Sequence, residues 1–160
     1  MPSRSALFAT ALAPLLACGS SSVIVHELAP GGRIASRAPE SVEVYRNAPP
    51  SRAFESRYLI DLSPARLPEP EAIAKYRDVG ARLGCDAVVV YTADHPAIKA
   101  GPRSDDEALV IDSRGGLSSR AIGATTSNRR ALFVTTAGAG TIVVDAPTAA
   151  LCIAFAREGA

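Results

Sequence analysis

The run Ala87-Val88-Val89-Val90-Tyr91 sets the frame for the whole chain. A strand that is apolar at every position has no face to give to water, so the run predicts a central strand of a sheet. The residues before it read as an amphipathic helix over Glu69–Leu83. Pro70 suits a first turn, where its missing N–H leaves nothing unpaired, and Glu69 and Glu71 favour the positive end of the helix dipole. Ile73, Tyr76, Gly80 and Leu83 fall on one stripe, with Ala72 and Val79 beside it. Glu71, Lys75, Asp78 and Arg82 fall on the other, with Glu71–Lys75 and Asp78–Arg82 at the favourable i, i+4 spacing. Gly84 is a natural stop. Upstream, Tyr58-Leu59-Ile60-Asp61-Leu62 alternates, with Tyr58, Ile60 and Leu62 on one face. Strand, helix and strand make a β-α-β unit, and a parallel crossover would be right-handed.

Weaker signals surround this unit. Residues 23–28 (VIVHEL) could form a short strand, whereas the Pro and Gly residues of 29–41 read as loop. Val42-Glu43-Val44-Tyr45 alternates and is read as a strand ended by Pro49-Pro50. Residues 94–107 read as a polar loop, 108–112 as a short strand, and 113–130 as a long exposed loop or a weak hairpin. Residues 131–135 and 141–145 flank a Gly-Ala-Gly turn and predict a hairpin, and 149–156 predict the last strand. The expected fold class is α+β: one amphipathic helix packed on a mixed sheet of five to seven strands.

The N-terminus carries a different kind of signal. Residues 1–5 are polar with one base, Arg4, residues 6–17 are uncharged and largely apolar, and Cys18 follows, with Gly-Ser-Ser-Ser behind it. A positive start, a short apolar run and small residues at its end form a secretory signal peptide. Leu15-Leu16-Ala17-Cys18 resembles the bacterial lipobox, which implies cleavage before Cys18 and acylation of that cysteine; the alternatives are an ordinary cleavable signal with an incidental cysteine and a buried N-terminal helix. The next residue is Gly19 rather than Asp, and in such lipoproteins this implies sorting to the outer membrane. The expected division is therefore 1–17 signal peptide, 18–41 lipidated cysteine and tether, and 42–160 a single α+β domain.

The middle of the chain has a resemblance of its own. The Val-x-Val-Tyr strand, Pro49-Pro50 with Arg52, the helix and the step Leu83-Gly84-Cys85-Asp86-Ala87 together resemble the small bacterial envelope lipoproteins of the RcsF-like group. Ala150-Leu151-Cys152-Ile153-Ala154 is similar to the last strand of that group. The resemblance implies an α+β lipoprotein facing the envelope. The folded part has two cysteines where the group's type member has four, and the 94–130 region is longer than that pattern expects.

Cys85 and Cys152 remain once Cys18 is taken by lipid. An oxidising compartment favours a disulfide between them, provided the last strand pairs beside 87–91. The alternative is that both are small buried apolar residues.

Signals for catalysis are faint. His26 and His95, with Glu27 or Asp94, would need the fold to gather them before they could hold a metal, and both histidines read as solvated. Ser113 and Ser118 lack the sharp-turn pattern of a catalytic serine, and Asp105-Asp106-Glu107 lacks calcium-loop spacing. Gly138-Ala139-Gly140 lies between strands, not before a helix, so a turn is favoured over a phosphate cradle. Arg129-Arg130 could touch anionic lipid but reads as a solvated strand start. Tyr45, Tyr58, Tyr76 and Tyr91 read as core or rim packing. With 17 basic against 16 acidic residues the chain has no field to gather nucleic acid. The expectation is a non-enzymatic, lipid-anchored envelope protein that binds a protein or cell-wall partner, with no cofactor and no metal. The alternative is a periplasmic small-ligand or metal-binding module.

Overall fold

The computed structural model describes residues 23–29, 35–62, 67–100, 107–112, 114–121, 130–134, 141–145 and 149–156. Along the chain run β1 (Ile24–Glu27), a 3-10 turn (Pro39–Ser41), β2 (Glu43–Arg46), β3 (Phe54–Asp61) and α1 (Glu69–Leu83). Then follow β4 (Ala87–Val90), α2 (Pro96–Ala100), β5 (Glu107–Ile111), β6 (Leu117–Ala121), β7 (Arg130–Val134), β8 (Thr141–Asp145) and β9 (Ala149–Phe155). Among the described residues no helix is long and apolar enough to cross a membrane.

The strands form two sheets. The first is mixed, in the order β1-β3-β9-β4-β2, and the second is ordered β6-β5-β7-β8. In the first, β2 runs parallel to β4, and β9 runs antiparallel to both β3 and β4. The fold is α+β with one main helix on a mixed five-stranded sheet, as expected, and the second sheet takes the strand count past seven.

The two faces of the first sheet explain the continuous apolar run. Val88 and Val90 share one core with Ile60, Ala150, Cys152 and the α1 residues Tyr76, Val79 and Ala81. Ala87, Val89 and Tyr91 share the other with Leu59, Leu151, Ile153 and the β5 residues Leu109 and Ile111. Strand β4 is thus covered by the helix on one side and by the second sheet on the other, and all four of its residues are buried.

Helix α1 has the bounds its sequence predicts, and it ends as Gly84 dictates. Gly84 is left-handed at φ 77°. Its N–H donates to the Ala81 carbonyl at 3.1 Å, and the Cys85 N–H donates to the Gly80 carbonyl at 2.9 Å. This pair of bonds caps the last carbonyls in a Schellman motif. Gly80 allows close approach: a β-carbon there would lie 2.8 Å from Val88 Cγ1.

The short strand read at 23–28, within the 18–41 segment, is β1, and it pairs antiparallel with β3, from Ile24 opposite Asp61 to Glu27 opposite Tyr58. Other expectations are corrected. The 3-10 turn in the same segment packs on α1, and the Arg37 N–H donates to the Ala81 carbonyl at 2.9 Å. Ala81, which the apolar stripe did not include, is buried, while Ile73 and Leu83, which it did include, are only partly buried. Strand β3 begins at Phe54 rather than Tyr58, with an irregularity between Ser56 and Tyr58. The two strands of the β-α-β unit are not neighbours, because β9 lies between them. Within the stretch read as loop or weak hairpin, β6 pairs with β5, and the polar loop after β4 contains α2. The 131–135 and 141–145 strands do pair antiparallel as β7 and β8. Their connecting turn with Gly138 and Gly140 lies outside the described residues.

Candidate functional site

The tightest constellation sits where α1 hands over to β4. Gly84 turns the chain, which delivers Cys85 beneath the helix and Asp86 to the start of the strand. Cys85 is bonded to Cys152 of β9, with their Cα atoms 5.7 Å apart. The register makes this possible, since Cys152 lies opposite Val88 and Ile153 opposite Ala87. Both cysteines are buried, at 1% and 0% exposure. The bridge closes a loop of 67 residues. On the chain-entropy model a loop of that size is worth about 4 kcal/mol.

Asp86 binds the same junction from the other side, and sequence reasoning missed it. One carboxylate oxygen pairs with the Arg37 guanidinium at 2.6 Å, and the other accepts the Phe155 N–H at 2.8 Å. Its own N–H donates to the Ile153 carbonyl, and its carbonyl accepts the Glu43 N–H. One residue therefore ties β2, β4, β9 and the 35–42 segment together. The signal was its place two residues after the glycine helix stop, at the start of the central strand. Its long-range partners, at 37 and 155, carry no local trace.

A second polar cluster lies at the carboxyl ends of the parallel strands β2 and β4. Asn47 adopts φ 60°, a left-handed conformation that Asn tolerates better than most residues. Its Nδ2 donates to Thr92 Oγ1 at 2.8 Å and to Asp94 Oδ1 at 3.0 Å, and its Oδ1 accepts the Thr92 N–H at 2.8 Å. The Thr92 hydroxyl also donates to Asp94. The Thr92 and Asn47 donors hold the Asp94 carboxyl below the usual carboxylate range. His95 Nδ1 accepts the Ala97 N–H at 3.1 Å and so caps α2, which leaves the ring proton on Nε2. Its ring meets Tyr91 edge-on with centroids 6.4 Å apart. Burial lowers the His95 pKa against a smaller opposing pull from Asp94. Beside the cluster, Arg46 pairs with Glu69 at the start of α1.

These groups are committed to joining the β2 and β4 loops. His95 is a cap rather than the solvated loop residue the sequence suggested. Among the described residues no three of His, Cys, Asp and Glu gather as a metal site would require. His26 and Glu27 lie on β1, while Asp94 and His95 follow β4, with β3 and β9 between those strands in the sheet.

The tyrosines divide as packing residues. Tyr91 is buried, and its hydroxyl donates to the Gly115 carbonyl at 2.8 Å. Tyr76 is buried with its hydroxyl lacking a hydrogen-bond partner among the described residues. Burial, with the nearby Asp61 charge, keeps that phenol protonated. Tyr45 donates to Glu43 at 2.6 Å, and Arg52 pairs with the same carboxylate and stacks over the Phe155 ring. Ser118 lies on β6, Glu107 starts β5 and Arg130 starts β7. Cys18, Asp105, Asp106, Ser113 and Arg129 lie outside the described residues.

The chain matches no protein-family model, no curated protein and no solved structure.

Proposed function

We propose that this protein is a lipid-anchored cell-envelope protein, held by an acylated Cys18, whose folded domain works by binding a protein or cell-wall partner rather than by catalysis. The observation that carries the reading is the buried Cys85–Cys152 bridge in a chain that begins with a leader and a lipobox-like step. Disulfides persist in oxidising compartments and are rare in the cytosol. An export signal and a core bridge thus favour the same side of the membrane. The resemblance to RcsF-like lipoproteins fits this placement, and Gly19 after the cysteine favours the outer membrane.

The test is a fractionation with mass spectrometry. In a bacterial host, the wild-type protein should float with membranes and start at an acylated Cys18. Cys18→Ser should be released to the soluble fraction or accumulate as uncut precursor. Unchanged processing and membrane retention of the variant would refute the anchor. Crosslinking in whole envelopes should capture a defined partner, and this capture should depend on the folded domain.

A further inference from the structure

We propose that strand β1 rests its outer edge on the membrane surface that holds Cys18, with Ile24 and Val25 entering the headgroup–acyl boundary. This rests on the reading that Cys18 carries lipid. Among the described residues, Ile24 and Val25 are the large apolar side chains that stand exposed, at 46% and 39%. They are consecutive, so they point to opposite faces of the sheet. Their strand is at the sheet's rim, and among the described residues β3 is its only neighbour. Helix α1 packs over β4 and β2, toward the other end of the strand order. The apolar rim therefore projects past the cover on both faces.

The anchor decides which occupant reaches this rim. Ile24 lies six positions beyond Cys18, a stretch that at full extension spans at most about 20 Å. The opposite edge, β2, lies four strands further on, another ~19 Å at ordinary strand spacing. Strand β1 is thus the edge held next to the bilayer. A second copy pairing edge to edge would satisfy backbone groups but leave Ile24 and Val25 on the outer faces of the joined sheet. A lipid boundary accepts side chains from both faces at once. Two apolar residues bind a bilayer weakly on their own, but tethering converts their contact into an intramolecular event.

The test uses the acylated full chain in vesicles of phosphatidylethanolamine and phosphatidylglycerol. With Cys18 acylated and Cys85 bridged to Cys152, a new thiol is the one available to a fluorescent label. Ile24→Cys and Val25→Cys carry the probe, with Asp78→Cys on the exposed side of α1 as control. Nitroxide lipids labelled near the headgroup should quench positions 24 and 25 at least about twofold more than position 78. Equal quenching at all three, or energy transfer between copies without lipid quenching, overturns the proposal. If a labelled variant fails to fold, hydrogen exchange of the unlabelled protein decides. Amides 24–27 should exchange about threefold or more slowly in vesicles than in soluble Cys18→Ser protein, and equal exchange overturns the proposal. Mass analysis of the same sample separates the two readings. An unacylated Cys18 refutes the anchor and this docking with it, whereas an acylated protein with unquenched probes refutes the docking alone.

Discussion

The two faces of β4 are equally buried but are closed by different means. On the helix side, the cover comes from the residues that immediately precede the strand: α1 ends three residues before β4 begins, and Cys85 in that gap is bonded to β9. On the second-sheet side, the cover comes from Leu109 and Ile111, later in the chain than α2, and Tyr91 reaches across to the Gly115 carbonyl. One face is closed by local sequence and a covalent bond, the other by apolar packing from later in the chain. The helix side should therefore depend most on the bridge and on the fit at Gly80, and the second-sheet side on side-chain volume.

The largest test of this contrast is to remove the bridge. Cys85→Ala with Cys152→Ala should lower stability by about 4 kcal/mol, read by urea denaturation. A loss below about 1 kcal/mol would mean that packing alone closes the helix side. Ile111→Ala probes the other face and should cost about 2–5 kcal/mol if the site cannot collapse. Hydrogen exchange should then rise first in β5 and β6, and a rise spread evenly over α1 would erase the distinction between the faces.

Gly80→Ala gives a smaller effect whose sign is informative. Alanine gains about 1 kcal/mol of helix propensity, but its β-carbon meets Val88 Cγ1 at 2.8 Å. Overpacking of that kind costs about 1–3 kcal/mol, so a net loss is expected by thermal melting. A stabilised variant would show that the helix can lift from the sheet at little cost. The smallest effect is pH-dependent and belongs to the second-sheet side, where His95 touches Tyr91. Burial lowers the His95 pKa below its ordinary 6.5. The unfolded chain then takes up the proton more readily than the folded one. The stabilising contribution is full above about pH 6.5 and falls away as pH drops toward the folded value. Exchange at α2 should quicken over that window, after correction for intrinsic rates, while exchange at α1 stays level. His95→Gln should flatten the response.

Legibility follows the same division. Helix α1, its stop at Gly84 and the central strand were readable because periodicity, capping and a fully apolar run are properties of neighbouring residues. The candidate site was readable in its chemistry but not in its arrangement. Two cysteines left in the folded part suggest a bridge, yet only the insertion of β9 beside β4 brings Cys85 and Cys152 to 5.7 Å. Asn47, Asp86 and His95 looked like ordinary loop and junction residues because their partners lie across the fold.

The sequence by itself determined the span of α1 and the burial of 87–91, since each rests on composition or spacing within a short window. The tertiary structure alone decided that β9 separates β3 from β4, that polar-looking β6 joins a second sheet, and that 24–27 form an exposed edge. Strand pairing is a choice among distant segments, made by the burial and hydrogen bonding of the whole, and no local pattern encodes which partner wins.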